Sequence, residues 1–329
     1  MIKGLNNMRI LVTGGAGFIG SNLCEFLIEA GAYVRCLDNF ATGKIDNIIG
    51  LISNKNFELI EGDIINIDTC MQACYNIDYV LHHAALGSVP RSLKNPLLTN
   101  SVNISGFLNM LVASKDCNIK RFIYAASSST YGDSEELPKI ENKIGNPLSP
   151  YAITKYVNEL YALNFNKLYN LDTIGFRYFN VFGEKQDPDG PYAAVIPKFI
   201  NSFLNVDSPI INGDGLHSRD FTYIDNVVQI NVLAIQTTNK NALNQIYNVA
   251  CGKRTNLNDL VEGIRQNLID YNDKIKNLKV VHGKNREGDV LHSLASIDKA
   301  KELLNYYPKY DFNKGLKKTI SWYLKKHES

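Results

Sequence analysis

Met8-Arg-Ile-Leu-Val-Thr-Gly14-Gly-Ala-Gly17-Phe-Ile-Gly20 decides the fold of this chain. An apolar run at residues 10–12 meets glycines at 14, 17 and 20, and an apolar helical stretch follows over 21–30. Strand, tight turn and helix N-terminus in that order bring backbone N–H groups and the positive end of a helix dipole to one place, where a pyrophosphate is held. Gly14, Gly17, Phe18, Ile19 and Gly20 are the candidate contacts. Glycines three apart are a weak signal alone, and their surroundings strengthen this one. The next apolar run, 33–37, ends at Asp38. A carboxylate there would accept from both hydroxyls of an adenosine ribose and repel a 2′-phosphate. NAD rather than NADP is the expected cofactor.

Outward from that stretch, short apolar runs recur at 57–60, 79–82, 122–126 and 173–176 with helical segments between them. Short buried strands alternating with amphipathic helices imply an α/β fold, a Rossmann-type doubly wound parallel sheet. After Tyr178-Phe-Asn180 the rhythm loosens into Gly183-Glu-Lys-Gln-Asp-Pro-Asp-Gly-Pro-Tyr192, turn-rich as loops on the rim of a site are. A helix over 223–235 and a strand over 246–249 return the chain to the first unit before it ends. The expected division is an NAD-binding domain of 1–178 plus about 223–250 and a smaller α/β C-terminal substrate domain of 179–222 and 251–329. There is no internal repeat and no low-complexity segment.

A second stretch carries chemistry. The run Phe122-Ile-Tyr-Ala-Ala-Ser127-Ser128-Ser129-Thr-Tyr-Gly132 is followed by Tyr151-Ala-Ile-Thr-Lys155, with Pro147 and Pro150 placed to start a helix. A phenol with a pKa near 10 is a poor base at neutral pH, but an ammonium one helical turn away favours the phenolate. A serine hydroxyl from a strand end could relay or orient the proton. This pattern describes alcohol oxidation. Spacing by itself proves little, because Tyr310-Asp-Phe-Asn-Lys314 repeats it with no serine run before it.

Composition removes other classes. With 329 residues, 45% hydrophobic and 21% charged, the chain buries one large core or two moderate ones. A net charge of +2 with both signs interspersed leaves no nucleic-acid footprint, and the lysines at 314, 317, 318, 325 and 326 read as the wet face of a last helix. No apolar run reaches a membrane span and no signal-peptide pattern precedes the first strand, so a cytoplasmic location is expected. Six cysteines (24, 36, 70, 74, 117, 251) show no metal-binding spacing. Neither disulfides nor a metal site is expected.

On these residues the chain resembles the extended short-chain dehydrogenase/reductases, and within them the UDP-N-acetylglucosamine 4-epimerases. The resemblance runs from Val12-Thr-Gly-Gly-Ala-Gly-Phe-Ile-Gly20 to Ser296-Ile-Asp-Lys-Ala300. Between them stand Leu86-Gly-Ser-Val-Pro-Arg-Ser92, the serine and tyrosine–lysine stretches, Arg177-Tyr-Phe-Asn180, Gly213-Asp-Gly215, Ser218-Arg-Asp220 and Arg286-Glu-Gly-Asp289, in the family's order. It implies Ser127 and Tyr151 as catalytic residues with Ser128 beside them, and Lys155 as the holder of the nicotinamide ribose. Asp63 and Ile64 match the adenine contact, and Asn39, Phe40, Thr42 and Gly43 the adenosine loop. Ala84, Ala85, Asn103 and Tyr178 match positions along the cofactor. Asn180, Arg219, Arg286 and Asp289 match the grip on uridine diphosphate, where arginines suit a diphosphate. Ser88, Arg91, Ser129 and Val195 join Ser127 and Tyr151 on the substrate side.

The reaction so implied inverts a carbon bearing an unactivated hydroxyl by oxidising it to a 4-ketose and re-reducing it from the other face. Tyr151 takes the 4′-hydroxyl proton with Ser127 bridging, and Lys155 with the cationic nicotinamide lowers the phenol's pKa. A 4,6-dehydratase is disfavoured because Ser128-Ser129 occupy the positions where that group resembles itself in carrying an Asp-Glu pair. A net dehydrogenase would consume NAD, and a non-catalytic sensor would be expected to lack the tyrosine or lysine. By resemblance, Ser293 stands where side-chain bulk controls admission of a 2-acetamido group, so a UDP-N-acetylhexosamine is the expected substrate. The corresponding hexosaminuronate is an alternative, its carboxylate meeting Ser88 or Arg91. A homodimer is expected from apolar residues near 107–111 and 156–165.

Overall fold

The computed structural model describes residues 4–189, 193–284 and 291–328. Its centre is a seven-stranded parallel sheet in the order Gln245–Val249, β6 (Thr173–Tyr178), β5 (Arg121–Ser127), β4 (Tyr79–His82), β1 (Arg9–Thr13), β2 (Tyr33–Asp38), β3 (Phe57–Glu61). Every residue of β6 is buried, as expected of a parallel strand covered on both faces.

Helices α1 (Phe18–Glu29), α2 (Ile67–Cys74), α3 (Val89–Lys94), α4 (Pro96–Asn100), α5 (Phe107–Asp116) and α6 (Pro150–Tyr169) belong to the first half. The second half holds α7 (Val195–Leu204), α8 (Ile224–Gln236), α9 (Leu257–Leu268), α10 (Asp298–Leu304) and α11 (Phe312–Glu328). Two apolar layers result. One unites α1 and α8 through Leu23, Leu27, Val227 and Ile230 and continues into Phe203, Leu260 and Leu316. The other packs Cys70, Phe107, Met110, Phe122 and Phe165 of α2, α5, β5 and α6. The smaller half adds paired short strands, Ser218–Arg219 with Thr255–Asn256 and Ile210–Asn212 with Val281–Gly283.

Helix α1 starts at Phe18, three residues before the sequence reading had it. The last glycine of the turn lies inside its first turn, because a Cβ on Gly20 would stand 2.1 Å from the Gly14 carbonyl oxygen. Of the apolar side chains read as an intersubunit stripe, Leu160 is exposed but others are not. Phe107 and Leu111 are fully buried and Phe165 nearly so, all within the chain's own second layer. An amphipathic helix on a sheet spends its stripe on the sheet first. Among the described residues no helix is long and apolar enough to cross a membrane. Strand order reverses direction between β1 and β4, and a doubly wound sheet opens its crevice beyond the strand ends at such a point.

Candidate active site

Ser127 is the last residue of β5, and its Oγ caps the turn that follows by accepting from the Ser129 N–H at 3.1 Å. The Ser129 hydroxyl donates to the same Oγ at 2.8 Å. With both lone pairs taken, the Ser127 proton is left for the neighbouring Tyr151 oxygen. Tyr151 enters from α6, whose start is fixed by Pro150 at its first position and by the Ser149 Oγ, which accepts from the Ala152 N–H at 3.1 Å. Burial pushes the Tyr151 phenol above its ordinary pKa, and the Ser127 hydrogen bond pulls the other way.

Lys155 follows one turn later, buried, with its Nζ donating to the Ala125 carbonyl at 2.8 Å. Burial lowers its pKa to about 8. In the protein alone, Ser127 is the group that lowers the phenol.

These side chains stand on the wall of a cavity of about 700 Å³ that extends to the glycine turn and to Asp38. Gly14 has φ +68°, and a Cβ on it would lie 2.7 Å from the Ala84 nitrogen, so only glycine fits. Gly17 begins α1 with no side-chain cap. The first-turn N–H groups of Phe18, Ile19 and Gly20 therefore remain for an anion at the cavity wall, while the Gly17 N–H closes the turn onto the Gly14 carbonyl at 3.1 Å. Asp38 is held from both sides, Oδ2 by the Ala16 N–H at 2.9 Å and Oδ1 by the Phe40 N–H at 2.8 Å. Gly43 stands against that carboxylate, with room for no Cβ. Asn39 donates to Asp63 at 2.8 Å, and these two, Thr42 and Ile64 complete that end of the wall with Ala84, Ala85 and Tyr178 further along. Bare helix terminus, glycine cradle and fixed carboxylate fit a dinucleotide.

Asn103 is placed behind this wall. Its amide oxygen accepts from the Leu86 N–H at 2.8 Å and its Nδ2 donates to the Leu86 carbonyl and the Thr154 Oγ1, so it shapes the 84–86 turn from the interior. It lies in a π-helical turn, Ser101–Gly106, between α4 and α5, a distortion common beside functional sites. Phe40, with φ +56°, and Ser128 stand outside the cavity lining.

Sequence reasoning missed two features. His83 lines the cavity and stacks on Tyr178, its Nε2 3.1 Å from the Tyr178 hydroxyl, which also accepts from Asn231 at 2.8 Å. Burial lowers His83 to about 3, so the ring is neutral. The second is a strap. Lys185 reaches Glu25 at 2.8 Å and the Asn47 carbonyl at 3.2 Å, Asp187 pairs with Lys44 at 2.9 Å, and Asn22 donates to the Glu184 carbonyl at 3.1 Å. The turn-rich composition of that stretch signalled a rim, but nothing in it named these partners.

Comparison with known proteins places this geometry. The NAD dependent epimerase/dehydratase family matches residues 10–250. A UDP-N-acetylglucosamine 4-epimerase from Methanobrevibacter ruminantium M1, solved in complex with UDP-N-acetylmuramic acid, is 38% identical and superposes with a TM-score of 0.91 over 98% of this chain and 100% of its own. A UDP-glucose 4-epimerase from Thermotoga maritima, solved with UDP-glucose, is 35% identical with a TM-score of 0.89 over 97% and 99%. A UDP-glucuronate 4-epimerase of Thermodesulfobacterium geofontis is 35% identical over 95% of each chain.

The chain belongs to the NAD dependent epimerase/dehydratase family. NAD is its cofactor, and it is an NAD-dependent nucleotide-sugar 4-epimerase family enzyme. In this epimerase-family enzyme the residues expected on the substrate side fall into two groups. Arg91, Ser127 and Tyr151 line the cavity, as does Ala194, the cap residue before Val195. Ser88 caps α3, accepting from the Arg91 N–H at 3.1 Å. Asn180, between the wall residues Tyr178 and Val181, sends its amide to the Asp220 carbonyl at 3.0 Å. Arg219 donates to the Ser218 and Leu291 carbonyls, each at 3.1 Å, and the Ser293 N–H donates to the Ser218 carbonyl at 3.0 Å. Asn180, Arg219 and Ser293 are thus gathered from three distant segments, none of the three on the cavity lining itself. Arg286 and Asp289 lie outside the described residues.

Proposed function

We propose that the protein interconverts UDP-N-acetylglucosamine and UDP-N-acetylgalactosamine through a 4-keto sugar. The observation that carries this reading is the meeting of Ser127, Tyr151 and Lys155 on the same cavity wall as the glycine cradle and Asp38. Similarity over nearly the full length to a UDP-N-acetylglucosamine 4-epimerase supports the sugar, as does a small residue at 293.

Bound NAD supplies a reversible hydride acceptor; the glycine turn and Asp38 would hold its adenosine half, and Lys155 and Tyr178 its other end. The chain's own residues move the proton. Tyr151, as phenolate, accepts the proton of the 4′-hydroxyl and later returns it to the ketose oxygen. Ser127, its lone pairs filled by Ser129, donates to the phenolate and so stabilises it. Lys155, with a pKa near 8, keeps most of its positive charge at neutral pH and adds to that field. Asn180, Arg219, Arg286 and Asp289 are proposed to hold the nucleotide diphosphate while the sugar turns over.

Arg91 on the cavity wall favours a second reading, a UDP-hexosaminuronate, whose carboxylate it would meet. A homodimer is proposed as well, now through exposed Leu93, Leu97, Ile153 and Leu160 on α3, α4 and α6. Light scattering that finds a monomer at micromolar concentration removes the dimer. NMR of the products formed separately from the N-acetylhexosamine and hexosaminuronate nucleotides decides the substrate. Product in step with accumulating NADH would overturn epimerisation in favour of a net dehydrogenase.

A further inference from the structure

Asp220 takes part in none of the steps above, yet it is fully buried. Its Oδ1 accepts from the Cys251 N–H at 2.9 Å, and its Oδ2 accepts from the Gly252 N–H at 3.0 Å and the Ala295 N–H at 3.3 Å. Its own carbonyl accepts from the Asn180 amide at 3.0 Å. One residue therefore joins three other segments through four partners that lie 40, 31, 32 and 75 positions away in sequence. Burial raises the carboxyl to about 6 against the pull of these donors. Burying a carboxylate costs more than burying an apolar side chain, so its contribution must lie in what it gathers.

What it gathers are the carriers of the proposed nucleotide grip. Arg219 adjoins it in sequence, Asn180 bonds to it, and Ser293 is two residues from Ala295. The strand Ser218–Arg219 is two residues long; it pairs with Thr255 and Asn256 and makes a single bridge from Ser218 to His292. A ladder that short fixes little without support. Three backbone N–H groups converging on one charged acceptor supply it, since hydrogen bonds to a charged group are about twice as strong as neutral ones.

We infer that Asp220 is a positioning residue for the nucleotide sugar, holding Asn180, Arg219 and the 293–295 segment in register without touching the substrate. This rests on the proposal that those residues bind the nucleotide. The residues proposed to hold NAD and to move the proton stand at the ends of β1, β2, β5 and β6 and on α6, and the hydrogen bonds of Asp220 go to none of them. Loss of its acceptor should therefore weaken nucleotide binding and spare the chemistry.

The test uses full-length, NAD-loaded enzyme and UDP as the probe. Asp220→Asn keeps the shape but turns an N–H donor toward backbone donors. Calorimetry should show UDP affinity falling about ten-fold and KM rising with it, while kcat stays within about three-fold and NAD content is unchanged. A folded variant with wild-type UDP affinity would overturn the assignment, as would a kcat and NAD loss at constant KM. Should the variant not fold, hydrogen exchange on wild-type enzyme decides, because UDP must slow the amides of Cys251, Gly252 and Ala295 if the coupling is real, and unchanged exchange overturns it. Wild-type enzyme that binds no UDP at all would instead sink the nucleotide-sugar reading, and this assignment with it.

Discussion

The Lys155 ammonium is anchored on the Ala125 carbonyl at 2.8 Å, two residues before Ser127 on the same strand. This bond ties α6 to β5 and so fixes Tyr151, one helical turn earlier, against the serine at the strand end. It also keeps a cation buried, and burial alone accounts for its lowered pKa.

The pH dependence of stability follows from that burial. The Lys155 pKa is about 8 in the fold and about 10.4 in an unfolded chain, so between these values the unfolded state binds more protons and stability rises with pH. Relative to Lys155→Met, cofactor-free wild type should carry its full handicap below pH 8 and lose it as pH rises toward about 10.4. Melting temperatures of the two proteins across that range test this; a constant gap would show that the lysine titrates normally.

Tyr151→Phe deletes the proton acceptor and little volume. Turnover should fall by about 100-fold or more while UDP affinity stays near wild type. A merely structural phenol would leave the rate within a few-fold.

Ser129 acts one bond further out. Ser129→Ala removes the hydroxyl that donates to Ser127 at 2.8 Å and frees Ser127 to rotate its proton away from Tyr151. A neutral hydrogen bond of about 0.5–1.5 kcal/mol predicts a kcat lower by roughly 2- to 12-fold, with its acidic limb at higher pH and KM unchanged. A change confined to KM would make Ser129 a substrate contact instead.

Cofactor choice is expected to rest on Asp38. In Asp38→Asn the charge facing a 2′-phosphate is gone, and the preference of apo-enzyme for NAD over NADP should shrink about ten-fold or more. Overall retention should fall too, because the carboxylate also holds the Ala16 and Phe40 N–H groups. Fluorescence titration with both cofactors reads the two effects separately.

Ser293→Tyr should act through volume. Placed against the sugar as proposed, a ring costs roughly 1–3 kcal/mol or more, and the ratio of kcat/KM for acetamido over hydroxyl sugars should drop about ten-fold. Equal losses on both substrate pairs would mean general disruption, and no loss would place Ser293 away from the sugar.

The sequence by itself determined the parallel sheet, the glycine turn and the carboxylate at the end of β2. Each follows from local rules, namely strand periodicity, the φ of Gly14 and chain continuity from one strand to its end. The pairing of Tyr151 with Lys155 was legible for the same reason, since four residues are one turn of helix. Only the tertiary structure decided which serine faces the tyrosine, because Ser127, Ser128 and Ser129 are adjacent in sequence and differ only in the direction the turn after β5 gives them. It also returned Phe107 and Leu111 to the core, an outcome that a helical stripe alone does not distinguish from an interface. Asp220 was least legible of all. Its partners lie 31 to 75 residues away, and a buried carboxylate gathering backbone N–H groups leaves no spacing to read, because the donors it needs are present at every residue but proline.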